Sequence, residues 1–251
     1  VVLKIISFNR MKKFSISNSK KQWIVILCML AFSWGQLKAQ TIHIAAGTVM
    51  SQYDFVNSDG VKSDFLKKGS GTYYRMGAEF KLLDTLQMVG STTSKSFYFS
   101  NHRFLASLLT RLQVETSIES SQFNAVGDVI GVAFNYQTNY LGLSTGLSYQ
   151  QPIIKGWALK ATGKVQGIKI VQGNQELQGT YKDLTLDPNF NKFQVALGWE
   201  LALSKQVNPG LISFVSFSKS NTMNAESAGS TSLNFKNTMF SIGLRFITNK
   251  N

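Results

Sequence analysis

Residues 191–205, NKFQVALGWELALSK, alternate without a break. Phe193, Val195, Leu197, Trp199, Leu201 and Leu203 fall on one parity, and Gln194, Ala196, Gly198, Glu200, Ala202 and Ser204 on the other. Successive side chains of a strand point to opposite faces, so this stretch is a strand with one apolar face. A soluble sandwich would turn that face to a core, and a membrane barrel would turn it to lipid. A lipocalin-like soluble barrel also alternates, but its water-facing side has no reason to be small. Here it is small: NYLGLSTGLSYQ (139–150) sets Leu141, Leu143, Leu147 and Tyr149 against Tyr140, Gly142, Ser144, Gly146 and Ser148. Small residues suit the inside of a narrow barrel, where eight strands leave room only for side chains.

The rest of the chain repeats the pattern. It has 251 residues, 43% of them hydrophobic, with 20 Gly, only 3 Pro and a single Cys. Period two predicts strands near 41–53, 71–83, 106–118, 139–149, 157–169, 192–204, 211–219 and 235–247, each near the roughly 9 to 11 residues that a tilted strand needs to cross a bilayer. Two connections, 151–156 and 205–210, are short. Four, 54–70, 119–138, 170–191 and 220–234, are long and polar. Short turns at one end and long loops at the other are the outer-membrane pattern. The connection 84–105 breaks the rule, being long at the short-turn end. It would extend its flanking strands, form a plug, or hide a hairpin that raises eight strands to ten. The expected fold is thus all-β, a transmembrane antiparallel up-and-down barrel. Tyr149 and Trp157 flank a short turn, where an interfacial aromatic girdle belongs.

The net charge of +13 invites a nucleic-acid reading, yet seven of the 26 basic residues and no acidic one precede residue 40. From Gln40 onward, 19 basic residues face 13 acidic ones, a net +6. No nucleic-acid partner is expected. The early segment runs from a basic stretch, MKKFSISNSKKQ, through about a dozen apolar residues, WIVILCMLAFSW, to GQLKAQ with the small Ala39. That is the plan of a secretory signal peptide, and the apolar run is too short for a spanning helix. We therefore expect 1–39 to be a cleaved signal, with 1–10 a mis-assigned upstream start, and 40–251 to be the barrel. Cys28 would leave with the signal, so neither a disulfide nor a thiolate site is expected in the exported chain.

The signal ending in KAQ, strands such as YLGLSTGLSY and VALGWELAL, and the closing strand TMFSIGLRF resemble the small outer-membrane β-barrel proteins of the Bacteroidota type, similar in plan to the OmpA transmembrane barrel. The resemblance spans residues 40–247. It implies a cell-envelope, porin-like protein of a Gram-negative outer membrane, in contact with outer-membrane lipid and lipopolysaccharide. It also implies that Gly243, Leu244 and Phe246 form the signal read by the barrel-assembly machinery, although here ITNKN follows the aromatic residue.

The polar parity carries Arg75, Glu79, Lys81, Arg111, Glu115, Lys160, Lys164, Glu200 and Arg245, expected to fill the lumen as a charge network that leaves no large pore. The apolar parity places Leu141, Leu143, Leu147, Val195, Leu197, Trp199 and Leu201 against lipid. In an antiparallel pair, opposed residue numbers have a constant sum. A sum of 190 sets Arg75 opposite Glu115 and Glu79 opposite Arg111, and this register is the expected one. Chemistry is sparse. His43 and His102 fall at the short-turn end, and Ser100 beside His102 reads most simply as one of two polar residues in water. Asp84, Thr85 and Leu86 resemble a short O-glycosylation sequon, but a plain solvated turn is the favoured reading. Lys62, Lys67 and Lys68 cluster where lipopolysaccharide phosphates would be, although a solvated basic loop is the simpler reading. No metal-ligand spacing or phosphate loop stands out, so neither a cofactor nor catalysis is expected. The expected role is structural or surface-interactive. The alternatives are a barrel enzyme acting on membrane lipid and a narrow small-solute channel.

Overall fold

The computed structural model describes residues 41–56, 59–61, 66–82, 108–129, 132–177, 179–223 and 232–248. The signal segment, 84–105 with its sequon, Ser100, His102 and Lys62 lie outside them. Ten strands form one sheet: β1 (Thr41–Val56), β2 (Leu66–Lys67), β3 (Gly69–Lys81), β4 (Leu112–Val129), β5 (Val132–Ile154), β6 (Trp157–Leu177), β7 (Thr180–Asp183), β8 (Gln194–Asn208), β9 (Leu211–Met223) and β10 (Ser232–Ile247). Eight of them close a ring in the order β4-β3-β1-β10-β9-β8-β6-β5, with β5 pairing back onto β4. Every pairing is antiparallel. Closure removes both sheet edges, which would otherwise leave a row of unpaired backbone groups. The two short strands are appendages: β2 pairs with the far end of β4, and β7 with the far end of β6. The chain is therefore a closed eight-strand up-and-down barrel.

One end of the barrel, the turn end, carries Lys155–Gly156 between β5 and β6 and Pro209–Gly210 between β8 and β9. Gly156 adopts φ 79°, a left-handed conformation that costs glycine nothing. At the opposite hairpin end, two of the expected loops are absent. Residues 119–138 are mostly strand, because β4 and β5 pair without interruption to Val129 and Val132. Much of 170–191 is a β6–β7 hairpin closing at Leu177 and Thr180. In SSQFNAVG (120–127) side chains still alternate, but Phe123 and Ala125 point in while Gln122 and Asn124 point out, the reverse of the apolar belt, so one pattern was legible only in the strand's middle.

The two faces are inverted relative to a water-soluble barrel. Outward side chains include Ile42, Ile44, Met76, Ile118, Leu143, Val165, Leu201, Val215 and Ile242, all at least 40% exposed. Inward ones include Arg75, Glu79, Lys160, Glu200 and Arg245, none above 4%. Serines on β9 (Ser216, Ser218, Ser220) face inward and are small enough to leave space for long charged side chains from the far wall.

Candidate functional site in the barrel lumen

The lumen has two layers. Nearer the turn end lies an ion network in which Glu79, Glu115, Glu119 and Glu200 meet Arg75, Lys160, Lys164 and Arg245. Four carboxylates thus balance four cations. Glu79 lies directly opposite Glu115 across the β3–β4 ladder, a like-charge pair that would be unfavourable alone. Lys160, reaching from β6, donates to both at 2.7 Å. Arg245 Nε lies 3.0 Å from Glu79, and Arg75 Nη1 3.6 Å from Glu115. Arg75 also forks across the lumen onto both carboxylate oxygens of Glu200, with Nη2 at 2.9 Å from Oε1 and Nη1 bonded to Oε2. Glu119 accepts from Ser144 and Gln166 at 2.8 Å each, and Lys164 lies 3.3 Å away. Phe214 sits beneath the two guanidiniums, 4.3 Å from Arg245 and 5.9 Å from Arg75, an arrangement that favours cation–π attraction.

Two glycines make this packing fit. Gly243 is the direct cross-strand partner of Phe214, and a Cβ there would stand 2.4 Å from the Phe214 ring. Gly77 is the direct partner of His43, and a Cβ there would stand 2.6 Å from the imidazole. Each ring lies over a glycine that leaves it room.

Above the network, toward the hairpin end, an aromatic plug packs into the lumen. Val49, Tyr53, Tyr73, Phe123, Tyr140, Ile170, Leu233, Phe235 and Met239 pack with Leu184 and Phe190, which arrive from the segment after β7. Phe235 meets Tyr53 at 4.7 Å and Tyr140 at 5.3 Å between ring centroids, both edge to face, the preferred geometry for aromatic pairs. Tyr53 Oη lies in hydrogen-bond contact with Thr138 Oγ1 at 2.8 Å. The inserted segment is held by the Leu184 N–H donating to the Gly173 carbonyl at 2.9 Å and by Phe190 and Asn191 N–H donating to the Asp187 carbonyl.

Of the charged residues singled out in the sequence, Arg75, Glu79, Glu115, Lys160, Lys164, Glu200 and Arg245 meet in the network. Two do not. Lys81 is exposed at the end of β3. Arg111 precedes β4 and bonds Gln151 and the Tyr149 hydroxyl outside the network. The expected register is also corrected: Arg75 stands opposite Glu119 and Glu79 opposite Glu115, a shift of four residues. No tight turn joins β3 to β4, so the hairpin geometry that sets a register is missing here. The expected ion pair of Arg75 with Glu115 forms diagonally rather than by direct opposition. On the outer face, Leu141, Leu143, Leu147, Leu197, Trp199 and Leu201 are 40–49% exposed and Val195 is half-buried. Gly243 faces inward against Phe214, while Phe246 points outward, 41% exposed.

Sequence reasoning missed Glu119, and it placed His43 at the short-turn end without assigning it to the lumen. Glu119 shares the parity of Glu115 and Ser117, so extending the strand past 118 would have found it. His43 shares the parity of Ala45 and Val49. It lies 1% exposed between Glu79 and Glu115, at 3.6 and 3.5 Å. The donor atoms of these three residues fall within 4.8 Å of one another, close enough for a divalent ion. Lys160, Arg75 and Arg245 already surround the same carboxylates, so an ion would enter against three fixed cations. The residues do not fit a resident metal. No described helix is long and apolar enough to cross a membrane.

No protein-family model and no curated protein matches the chain. Solved structures are similar at low identity. Neisserial surface protein A shares 11% identity at a TM-score of 0.42, covering 82% of this chain and 96% of that one. The outer-membrane protein OprG from Pseudomonas aeruginosa shares 13% at 0.39, covering 84% and 97%. The outer-membrane protease OmpT from Escherichia coli shares 10% at 0.42, covering 82% and 95%.

Proposed function

We propose that this chain is an outer-membrane barrel protein, exported by a cleaved signal, with a structural or surface-interaction role, without catalysis and without a large pore. One observation carries the reading: charge is inside and apolar surface outside. Trp199 and Leu201 are 43% and 44% exposed, whereas Glu200 between them is 3% exposed. In water, a continuous apolar surface of this kind would drive association. In a bilayer it is the required lipid contact, and the closed ladder satisfies the backbone. Outer-membrane lipid and lipopolysaccharide are then its surroundings, and the barrel-assembly machinery its partner during insertion. With Thr41 and Ile247 paired at the turn end, the proposal assigns that end to the periplasm and the tall hairpins to the outside.

The packed lumen supports a scaffold over a channel. Cell fractionation, migration of heated and unheated protein in gels, and planar-bilayer recording test the proposal together. We expect recovery in the outer membrane, a faster-migrating unheated form and no steady conductance. Recovery in the soluble fraction, or a stable open channel, overturns it.

A further inference from the structure

Above the plug at the hairpin end, the barrel mouth holds a cavity of about 230 Å³. Its floor is aromatic, formed by Tyr53 and Phe190, and half-buried Phe55 and Tyr136 stand at its sides. Polar groups complete the lining, among them Asn189, Asp187 and Lys182. We propose that this cup binds one neutral sugar ring. That the cup opens to the outside rests on the outer-membrane reading above, whereas the binding chemistry does not.

The size comes first. Drug-sized sites occupy roughly 300 to 1,000 Å³, so this cup admits one ring and not an extended ligand. Half-buried Phe55 and Tyr136 ask for an apolar face, since aromatic surface left to water is unfavourable. The remaining lining asks for hydroxyls. The Gln175 amide in the lining both donates and accepts, and Lys182 and Asp187 keep further protons and lone pairs beyond their mutual bond, so a ligand with several groups that do both can satisfy them together. Charge excludes the obvious competitors. Lys182 Nζ donates to Asp187 Oδ2 at 2.6 Å, and Asp187 Oδ1 accepts from the Asn189 N–H at 2.9 Å. The cup therefore presents a neutralised pair and favours neither an anion nor a cation. A pyranose has an apolar C–H face, a rim of hydroxyls and no charge, and it meets all three demands.

The cup is also preformed. Tyr136 stacks on Phe190 with centroids 5.7 Å apart, and Tyr53 meets both rings edge on at about 6 Å. Rigid aromatic walls reduce the ordering cost of binding.

The test uses the full folded chain in amine-oxide micelles, because sugar-headed detergents would compete. Saturation-transfer NMR is run with glucose, galactose and N-acetylglucosamine, and with glucuronate and glucosamine as charged comparisons. We expect transfer to the ring protons of at least one neutral sugar, weakened tenfold or more by Tyr136→Ala and by Asn189→Ala and unchanged by Lys67→Ala outside the cup. Heat-modifiable migration of each variant shows that it is folded. Absence of transfer from every neutral sugar, transfer only from the charged ones, or an undiminished signal in folded Tyr136→Ala overturns the proposal. Because the assay is done on folded protein in micelles, a failure of the outer-membrane reading would leave its result standing.

Discussion

Glu79 and Glu115 face each other directly on neighbouring strands, and one ammonium, Lys160 Nζ, lies 2.7 Å from a carboxylate oxygen of each. Lys160 belongs to β6, two strands beyond β4 around the ring, so a repulsive local pair becomes a tie across the lumen. Arg75 with Glu200 makes a second tie of the same kind, from β3 to β8.

Lys160→Met would leave two buried carboxylates opposed. Breaking a buried ionic arrangement by removing one partner costs about 3 to 5 kcal/mol. Urea unfolding of the barrel in lipid or detergent should show a loss of this size. A loss under 1 kcal/mol would mean that water reaches the network and screens it.

The outer face is tested by Leu201→Arg, which should cost about 2 to 4 kcal/mol if the position lies near the bilayer midplane. Tyr181→Arg is the comparison, because Tyr181 is 71% exposed on β7 beyond the belt and a charge there should be neutral within about 0.5 kcal/mol. Refolding equilibria in vesicles would measure both. Equal tolerance would place Leu201 in water.

Phe235 is fully buried in the plug and touches three other rings. Phe235→Ala should therefore cost about 3 to 5 kcal/mol through lost contacts and the cavity left behind. Thermal loss of the fast-migrating form on gels reports it, and an unchanged transition would show that the plug contributes little.

Asp187 supplies a pH dependence outside the belt. Partial burial disfavours its carboxylate, but the hydrogen bonds from Lys182 and the Asn189 N–H outweigh this and hold its pKa below the usual value. A depressed folded pKa means that the stabilisation is present above the unfolded pKa, about 3.9, and is lost as pH falls through the folded one. Hydrogen exchange of segment 184–193 should be slow at pH 6 and accelerate, relative to the intrinsic rate, below about pH 4. Asp187→Asn should remove that pH dependence.

Alternation alone yielded eight strands, their two faces and most of the lumen charges, because a pleated strand writes its environment onto every second residue. The inversion of polarity was legible for the same reason: Leu197, Trp199 and Leu201 on one parity against Glu200 on the other admit few surroundings. The strand ends were less legible, since beyond the belt the polarity of the faces reverses, with Phe123 and Ala125 inside and Gln122 and Asn124 outside, and no single pattern runs the length of the strand. Glu119 was lost to that effect.

Within the apolar belt, sequence by itself thus determined which residues face inward and which outward, since that follows from local geometry and a period of two, whereas Lys81 and Arg111 beyond it do not join the lumen network. Only the tertiary structure decided who meets whom. The β3–β4 register, shifted by four residues, brought Glu79 opposite Glu115, and no tight turn was present in the sequence to announce it. Closure of the ring brought Lys160, Glu200 and Arg245 across to β3 and β4. The aromatic plug joined Tyr53, Phe123 and Phe235 from distant strands to Phe190 from a segment that reads as loop. Such contacts depend on shear and closure of the whole barrel, quantities that no single strand carries.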